Sequence, residues 1–302
     1  MKKISDQVKV GHIFISDGAW GTRLQSLGAK PGECLEHWNI SHPDEVLSIA
    51  GDYVASGSDM IETNSFGGSR IKLDLYGLAN QTEQINEAAA AISRKAAGAD
   101  CHVLGSMGPT GKILLLGDIN EETLYSAFSQ QAVALKKGGA DACCIETFMA
   151  LDEALCAVRA VRENTDLEII CTFTFEKTKK GEYRTAMGVR TAQMVHALID
   201  AGADIIGTNC GNGMAQMVEI VREIRTVDSK IPILVHANAG LPTIQDGEMI
   251  YPETPEAMAS YLPALIEAGA GIIGGCCGTT PAHISALVAA RQRLQGSLRG
   301  GT

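Results

Sequence analysis

The chain has 302 residues, 45% of them hydrophobic, and a net charge of −10 with its basic residues scattered. That length can bury a large core in one or two domains, and the charge argues against nucleic acid as a partner. No run reaches the roughly 18 apolar residues of a membrane span; the start, Met1-Lys2-Lys3-Ile4-Ser5-Asp6, lacks the apolar segment of an export signal, and nine cysteines, an odd number, point to free thiols in a reducing, cytoplasmic compartment.

Residues 12–16 read as a first buried strand, followed by Asp17-Gly18-Ala19-Trp20-Gly21-Thr22 and a helix over 43–56. A phrase then appears that recurs down the chain: Ser56-Gly57-Ser58-Asp59-Met60-Ile61-Glu62-Thr63-Asn64. Its copies are Gly138-Gly139-Ala140-Asp141-Ala142-Cys143-Cys144-Ile145-Glu146-Thr147, Ala201-Gly202-Ala203-Asp204-Ile205-Ile206-Gly207-Thr208-Asn209 and Ala268-Gly269-Ala270-Gly271-Ile272-Ile273-Gly274-Gly275-Cys276. Each reads as a helix ended by glycine, a tight turn and a short buried strand. Strands over 101–105, 168–173 and 233–236 fill the gaps, and amphipathic helices follow over 81–97, 121–137, 151–164, 191–201, 214–226, 254–268 and 282–294.

Eight strands alternating with eight helices predict an α/β chain folded as a single (β/α)8 TIM barrel. The alternative is a doubly wound open sheet; the first strand-to-helix turn, Ser16-Asp17-Gly18-Ala19-Trp20-Gly21, lacks the glycine spacing of a dinucleotide site. The barrel is expected over 1–295, with an exposed polar loop at 176–188 and a disordered tail at 296–302.

In a barrel the chemistry collects at the carboxyl ends of the strands. Adjacent Cys276 and Cys277 stand there among glycines, and Cys210 stands in Gly207-Thr208-Asn209-Cys210-Gly211-Asn212-Gly213. A disulfide between neighbours is strained, so a shared metal is the better use. Three thiolates with an open fourth position describe a catalytic zinc site, which presents a substrate thiol as thiolate. The other six cysteines read as small hydrophobes.

Asp17 and Glu146 share that rim. They can hold a substrate ammonium or belong to a hydrogen-bond network at the mouth. The backbone from Gly18 through Gly21 to Thr22 can receive a carboxylate. Asn238 reads as a support for the metal site, a substrate contact or a turn residue; Thr63 and Asn64 are weaker contacts. His236 and His283 read as structural.

With these residues in view, the chain resembles the homocysteine S-methyltransferase family, most of all the homocysteine-binding module of cobalamin-dependent methionine synthases. The carriers are Asp17 to Thr22, Glu62-Thr63-Asn64-Ser65-Phe66, Gly108-Pro109-Thr110, Glu146-Thr147-Phe148, Asn209-Cys210, Asn238-Ala239-Gly240 and Gly274-Gly275-Cys276-Cys277-Gly278-Thr279-Thr280-Pro281. The resemblance implies a (β/α)8 barrel, Zn2+ on Cys210, Cys276 and Cys277, and a homocysteine amino group on Asp17 and Glu146. It implies methyl transfer to the homocysteine thiolate, giving methionine. Gly211-Asn212-Gly213 departs from the family's usual Gly-Pro after the Asn-Cys pair. The 302 residues hold one barrel, so the methyl group is expected from a separate corrinoid protein or from a small sulfonium or betaine. A methyltransferase working between a corrinoid protein and another methylated substrate or thiol is the second reading. No membrane partner is expected.

Overall fold

Each copy of the repeated phrase starts a strand, and in three of the four an aspartate explains why. The computed structural model describes residues 2–245 and 248–299. The strands are β1 (Phe14–Ile15), β2 (Met60–Glu62), β3 (His102–Met107), β4 (Ala142–Phe148), β5 (Glu168–Phe173), β6 (Ile205–Asn209), β7 (Ile233–Ala237) and β8 (Ile272–Gly275). All pair in parallel in the order β1-β8-β7-β6-β5-β4-β3-β2. Asp59 closes the seam between β1 and β2: its N–H donates to the Ile15 carbonyl at 2.8 Å, and its carboxylate accepts the Ile15 N–H at 2.7 Å.

Asp141 makes the same two bonds to Val103, and Asp204 makes them to Ile169. An arginine from a helix reaches each aspartate: Arg291 to Asp59, Arg94 to Asp141 and Arg162 to Asp204. In the fourth copy Gly271 stands where the aspartate would be, and Arg225 binds the Gly269 carbonyl instead, at 2.7 Å. A side chain at Gly271 would collide with Val8 of the N-terminal helix Ile4–Lys9. That helix plugs the amino-terminal end of the barrel, and the Glu168 carboxylate accepts the N–H groups of Ile4 and Ser5 at 2.5 and 3.0 Å.

Period-2 alternation then divides the strands. Phe14, Met60, Leu104, Ala142, Cys144, Ile170, Ile205, Leu234 and Ile272 fill the barrel with Ile4 beneath them. Their outward neighbours, such as Ile61, Val103, Cys143, Ile169, Ile206, Val235 and Ile273, pack under the helices. The helices are α1 (Pro43–Ala55), α2 (Thr82–Ala97), α3 (Glu121–Lys137), α4 (Leu151–Asn164), α5 (Thr191–Asp200), α6 (Met214–Val227), α7 (Leu262–Ala268) and α8 (Pro281–Arg299).

The (β/α)8 barrel read from the sequence is therefore the fold. The expected helix over 254–268 is split into Pro255–Ser260 and α7 by Tyr261, because Pro263 has no N–H for the Ala259 carbonyl and is tolerated only in the first turn of a new helix. The loop over 176–188 carries a two-strand hairpin, Glu176–Lys177 with Tyr183–Arg184. Helix α8 takes residues 296–299 of the expected tail, and residues 300–302 lie outside the described residues. Periodicity did not signal the N-terminal plug or the hairpin of Thr243–Gln245 with Glu248–Ile250, both too short to show a pattern.

Removing a clamp should be costly because Val103 is fully buried and its N–H would lose its acceptor. Asp141→Ala is expected to lower stability by about 2–3 kcal/mol, and Asp141→Asn by less. The midpoint of urea unfolding at constant slope measures both.

Candidate active site

The barrel interior turns polar one alternation above its apolar layer. Two residues beyond Phe14, Met60, Leu104, Cys144, Ile170 and Leu234 come Ser16, Glu62, Ser106, Glu146, Thr172 and His236, all buried. This layer floors a cavity of about 350 Å³ at the carboxyl ends of the strands. The sulfurs of Cys210, Cys276 and Cys277 stand on its wall.

Cys210 Sγ lies 3.9 Å from Cys277 Sγ, and Cys276 Sγ lies 4.0 Å from Cys277 Sγ. All three sit within 4.8 Å of one another. Sulfurs each about 2.3 Å from a tetrahedral zinc would stand about 3.8 Å apart, so the triangle fits such an ion. The backbone builds it under strain. Cys210 holds φ 58°, a left-handed conformation rare for a side-chain-bearing residue. It is kept there by its N–H on the His236 carbonyl at 2.9 Å and by its carbonyl on the Asn212 N–H at 2.8 Å. After Cys276 and Cys277 the chain reverses at Gly278, φ 79°, where a side chain would strike the Tyr251 ring. Thr279 secures the loop: its hydroxyl donates to the Cys276 carbonyl at 2.7 Å and accepts the Ala19 N–H at 3.0 Å.

Without a metal the three thiols share charge. Hydrogen bonds from Cys210 and Cys276, with a further one from Tyr251, hold the Cys277 thiol down at about 3. Cys276 is pushed well above the ordinary thiol range by its bonds to Cys210 and Cys277.

The opposite wall is acidic. Glu36, Glu62 and Glu146 line the cavity, and no Lys or Arg does among the described residues. Ser106 donates to Glu146 Oε1, and the Asn209 amide donates to Glu146 Oε2 at 3.2 Å. Burial, then the charge of Glu62, pushes Glu146 well above the usual carboxylate range, and burial raises Glu62 to about 7. Burial lowers His236, whose Nδ1 stands 3.5 Å from Glu62 Oε1.

Comparison with known proteins follows the same lines. A model of the homocysteine S-methyltransferase family matches residues 14–291. The chain belongs to that family. It is similar to the methionine synthase of Mycobacterium tuberculosis, 33% identical over 296 residues, covering 92% of this chain and 24% of that protein. The methionine synthase of Mycobacterium leprae is 32% identical over 93% of this chain and 24% of its own length. The chain thus spans about a quarter of the curated relatives it matches. Its fold also matches the metallated form of the homocysteine methyltransferase MmuM from Escherichia coli, with TM-score 0.78, 23% identity and coverage of 94% of this chain and 98% of that one.

Within this family member, most expected contacts reach one place. Gly18, Gly21, Thr22, Thr63 and Glu146 line the cavity with the cysteines. Asp17 does not. It is fully buried behind the wall, where Oδ2 accepts the Trp20 indole N–H and the Glu62 N–H, each at 2.8 Å, and Oδ1 accepts the Ser16 hydroxyl at 3.2 Å. Burial and the neighbouring Glu62 raise it to about 7. Asn238 is also off the cavity; its N–H donates to the Asn212 carbonyl at 2.9 Å, tying the loop after β7 to the Cys210 loop, and its Oδ1 is buried without a partner. His283 is structural, bonded to Thr280 and to the Glu253 carbonyl.

Sequence reasoning named Glu62 and Asn209 only within strand-end motifs, gave Ser106 no role and read His236 as structural. Strand alternation was the signal that reaches them. Asn209 joins the acidic wall to the cysteines. Its Oδ1 accepts the Thr147 N–H at 2.8 Å and the Thr172 hydroxyl at 2.7 Å, and its Nδ2 donates to Thr147 Oγ1 at 2.7 Å. This clamp holds Thr147 at φ 65°.

In metal-free protein at pH 6, iodoacetamide should label Cys277 ahead of the other cysteines. Peptide mass spectrometry over a time course reads the order, and preferential labelling of buried Cys143 or Cys171 would contradict the shared-charge picture.

Proposed function

We propose that this protein methylates L-homocysteine, using zinc held by Cys210, Cys276 and Cys277, and so forms methionine. The observation that carries the reading is the sulfur triangle facing an acidic wall across one cavity, in a chain of this family. A thiol and an amino group on one small molecule fit those two walls at once. Bound zinc lowers the pKa of a coordinated thiol, so the sulfur is a thiolate at neutral pH.

The chain's own residues do the rest. The cysteines set where the nucleophile stands. Glu146 draws the amino group to the far wall, with Asp17 adding negative charge from behind and anchoring both Trp20 and the Glu62 backbone. The backbone of Gly18, Gly21 and Thr22 receives the carboxylate, and Thr63, held by Ser65 at 2.6 Å and by the Ser106 N–H at 3.0 Å, shapes the wall between. Fixing both ends of the amino acid leaves its sulfur few orientations for in-line attack on a methyl group. Asn238 fixes the Cys210 loop to the end of β7.

For the donor we propose a separate corrinoid protein. The loops that follow the strands expose apolar side chains around the mouth: Phe66, Leu115, Leu116, Met187, Leu241 and Ile244, with Leu115 85% and Ile244 80% exposed. An apolar rim of this kind marks a macromolecular contact better than the entrance for a small sulfonium or betaine. Transfer from a methylated corrinoid protein, and none from a small sulfonium, is the expected result; the reverse would move the donor assignment to the small molecule. No helix among the described residues is long and apolar enough to cross a membrane.

Elemental analysis should give one zinc per chain, and Cys277→Ser should lose both zinc and methyl transfer. Transfer by a zinc-free Cys277→Ser protein would refute the mechanism. A second expectation concerns pH. Asp17 and Glu62 hold protons up to about 7 in the free protein and must release them when an ammonium arrives. L-methionine, which has no thiol proton to lose, should therefore bind more tightly as pH rises from 5 to 7 and level off above that. Calorimetry across the range checks it; an affinity independent of pH would mean that the carboxylates are already ionised.

A further inference from the structure

The acidic wall carries more unspent acceptors than one carboxylate explains. Glu62 Oε1 and His236 Nε2 are buried without hydrogen-bond partners, on residues 7% and 1% exposed. Both residues line the cavity with Glu146. One ligand atom from each of Glu62, Glu146 and His236 lies within 4.8 Å of the other two. His236 Nδ1 stands 3.5 Å from Glu62 Oε1 without forming a hydrogen bond, and with the ring proton on Nδ1 the Nε2 atom is an acceptor.

Orphaned buried acceptors cost free energy, and so does a buried cation whose N–H groups are unpaired. Each supplies what the other lacks. A primary ammonium has three N–H donors arranged around one nitrogen. The wall sets three residues that can accept within 4.8 Å of one another, and no Lys or Arg satisfies them among the lining residues.

We propose that Glu62 Oε1 and His236 Nε2, together with Glu146, receive the three N–H groups of the substrate's primary ammonium, and that this pair makes the cavity specific for a primary amine. The inference rests on the reading of the cavity as a homocysteine site and deepens it. It moves direct recognition from Asp17 to the strand β2 and β7 residues two positions beyond the apolar layer. Counting donors also sets the selectivity. A thiol without the amine leaves both acceptors orphaned, and an N,N-dimethylated amine keeps the charge but offers one N–H.

The test titrates zinc-loaded protein by calorimetry with L-homocysteine, 4-mercaptobutanoate and N,N-dimethyl-L-homocysteine. Wild type should bind L-homocysteine at least tenfold more tightly than either analogue. Glu62→Gln and His236→Leu should each weaken L-homocysteine at least tenfold while leaving 4-mercaptobutanoate within about twofold. Equal losses for both thiols would make the two residues merely structural, and unchanged L-homocysteine affinity would remove them from the site; either overturns the proposal. A metal ion retained by Cys277→Ser but lost on adding Glu62→Gln would give the trio to a metal and overturn it too. If wild type binds neither thiol, the zinc-thiolate reading has failed. The amine assignment is then decided by L-methionine against 4-(methylthio)butanoate, a pair without a thiol, in wild type and Glu62→Gln: a preference for L-methionine that the variant loses upholds it, and its absence in wild type refutes it.

Discussion

Burying a carboxylate is costly, and the mouth of this barrel buries three. Asp17, Glu62 and Glu146 come together where three strands end, with no lysine or arginine on the cavity wall among the described residues. Hydrogen bonds meet part of the cost. Asp17 takes the Trp20 indole and the Glu62 N–H, and Glu146 takes Ser106 and Asn209. What remains shows as raised pKa values and as orphaned acceptors. A site left short of positive charge in the free protein is prepared for a cationic group. Stability is given up where binding needs it.

The cysteine wall stores a different kind of cost. Its three sulfurs come from two loops that are 66 residues apart in the chain, and backbone bonds fix each loop to the end of β7. The Cys210 N–H finds the His236 carbonyl, and the Ala239 N–H finds the Cys277 carbonyl at 3.0 Å. The left-handed conformations of Cys210 and Thr147 flank Asn209, whose side chain holds the second of them. One residue therefore couples the geometry of the two walls. A sulfur that must stand about 3.8 Å from two others tolerates little slack, and the strained turn is fixed by bonds on both sides.

The opposite end of the barrel has no chemistry and a regular construction. Asp59, Asp141 and Asp204 each clip the preceding strand by the same pair of bonds, and each is met by an arginine from a helix. The fourth copy gives up its aspartate so that Val8 of the N-terminal plug can enter. Stability is concentrated at the amino ends of the strands, and loops at the carboxyl ends are free to vary. That division explains how an acidic floor and strained turns persist above a well-clamped base.

The sequence by itself determined the strand and helix order, the fourfold phrase and the three cysteines at strand ends. These follow from local causes: hydrophobic period, glycine-terminated helices and the rule that barrel chemistry sits at the carboxyl ends. It also marked Glu146, Thr63 and the Gly18 to Thr22 turn, because each directly follows a legible strand. Only the tertiary structure decided which carboxylates face the cavity. Asp17 is one residue past Ser16, and its carboxylate turns to the seam with β2, whereas Glu62 and His236 continue the inward series of Met60 and Leu234. A shift of one residue moves a side chain to the other face, and strand ends are where sequence reading is least sharp. The sulfur spacing was likewise beyond reach of any local pattern, since it depends on how two loops from separate strands close over one point.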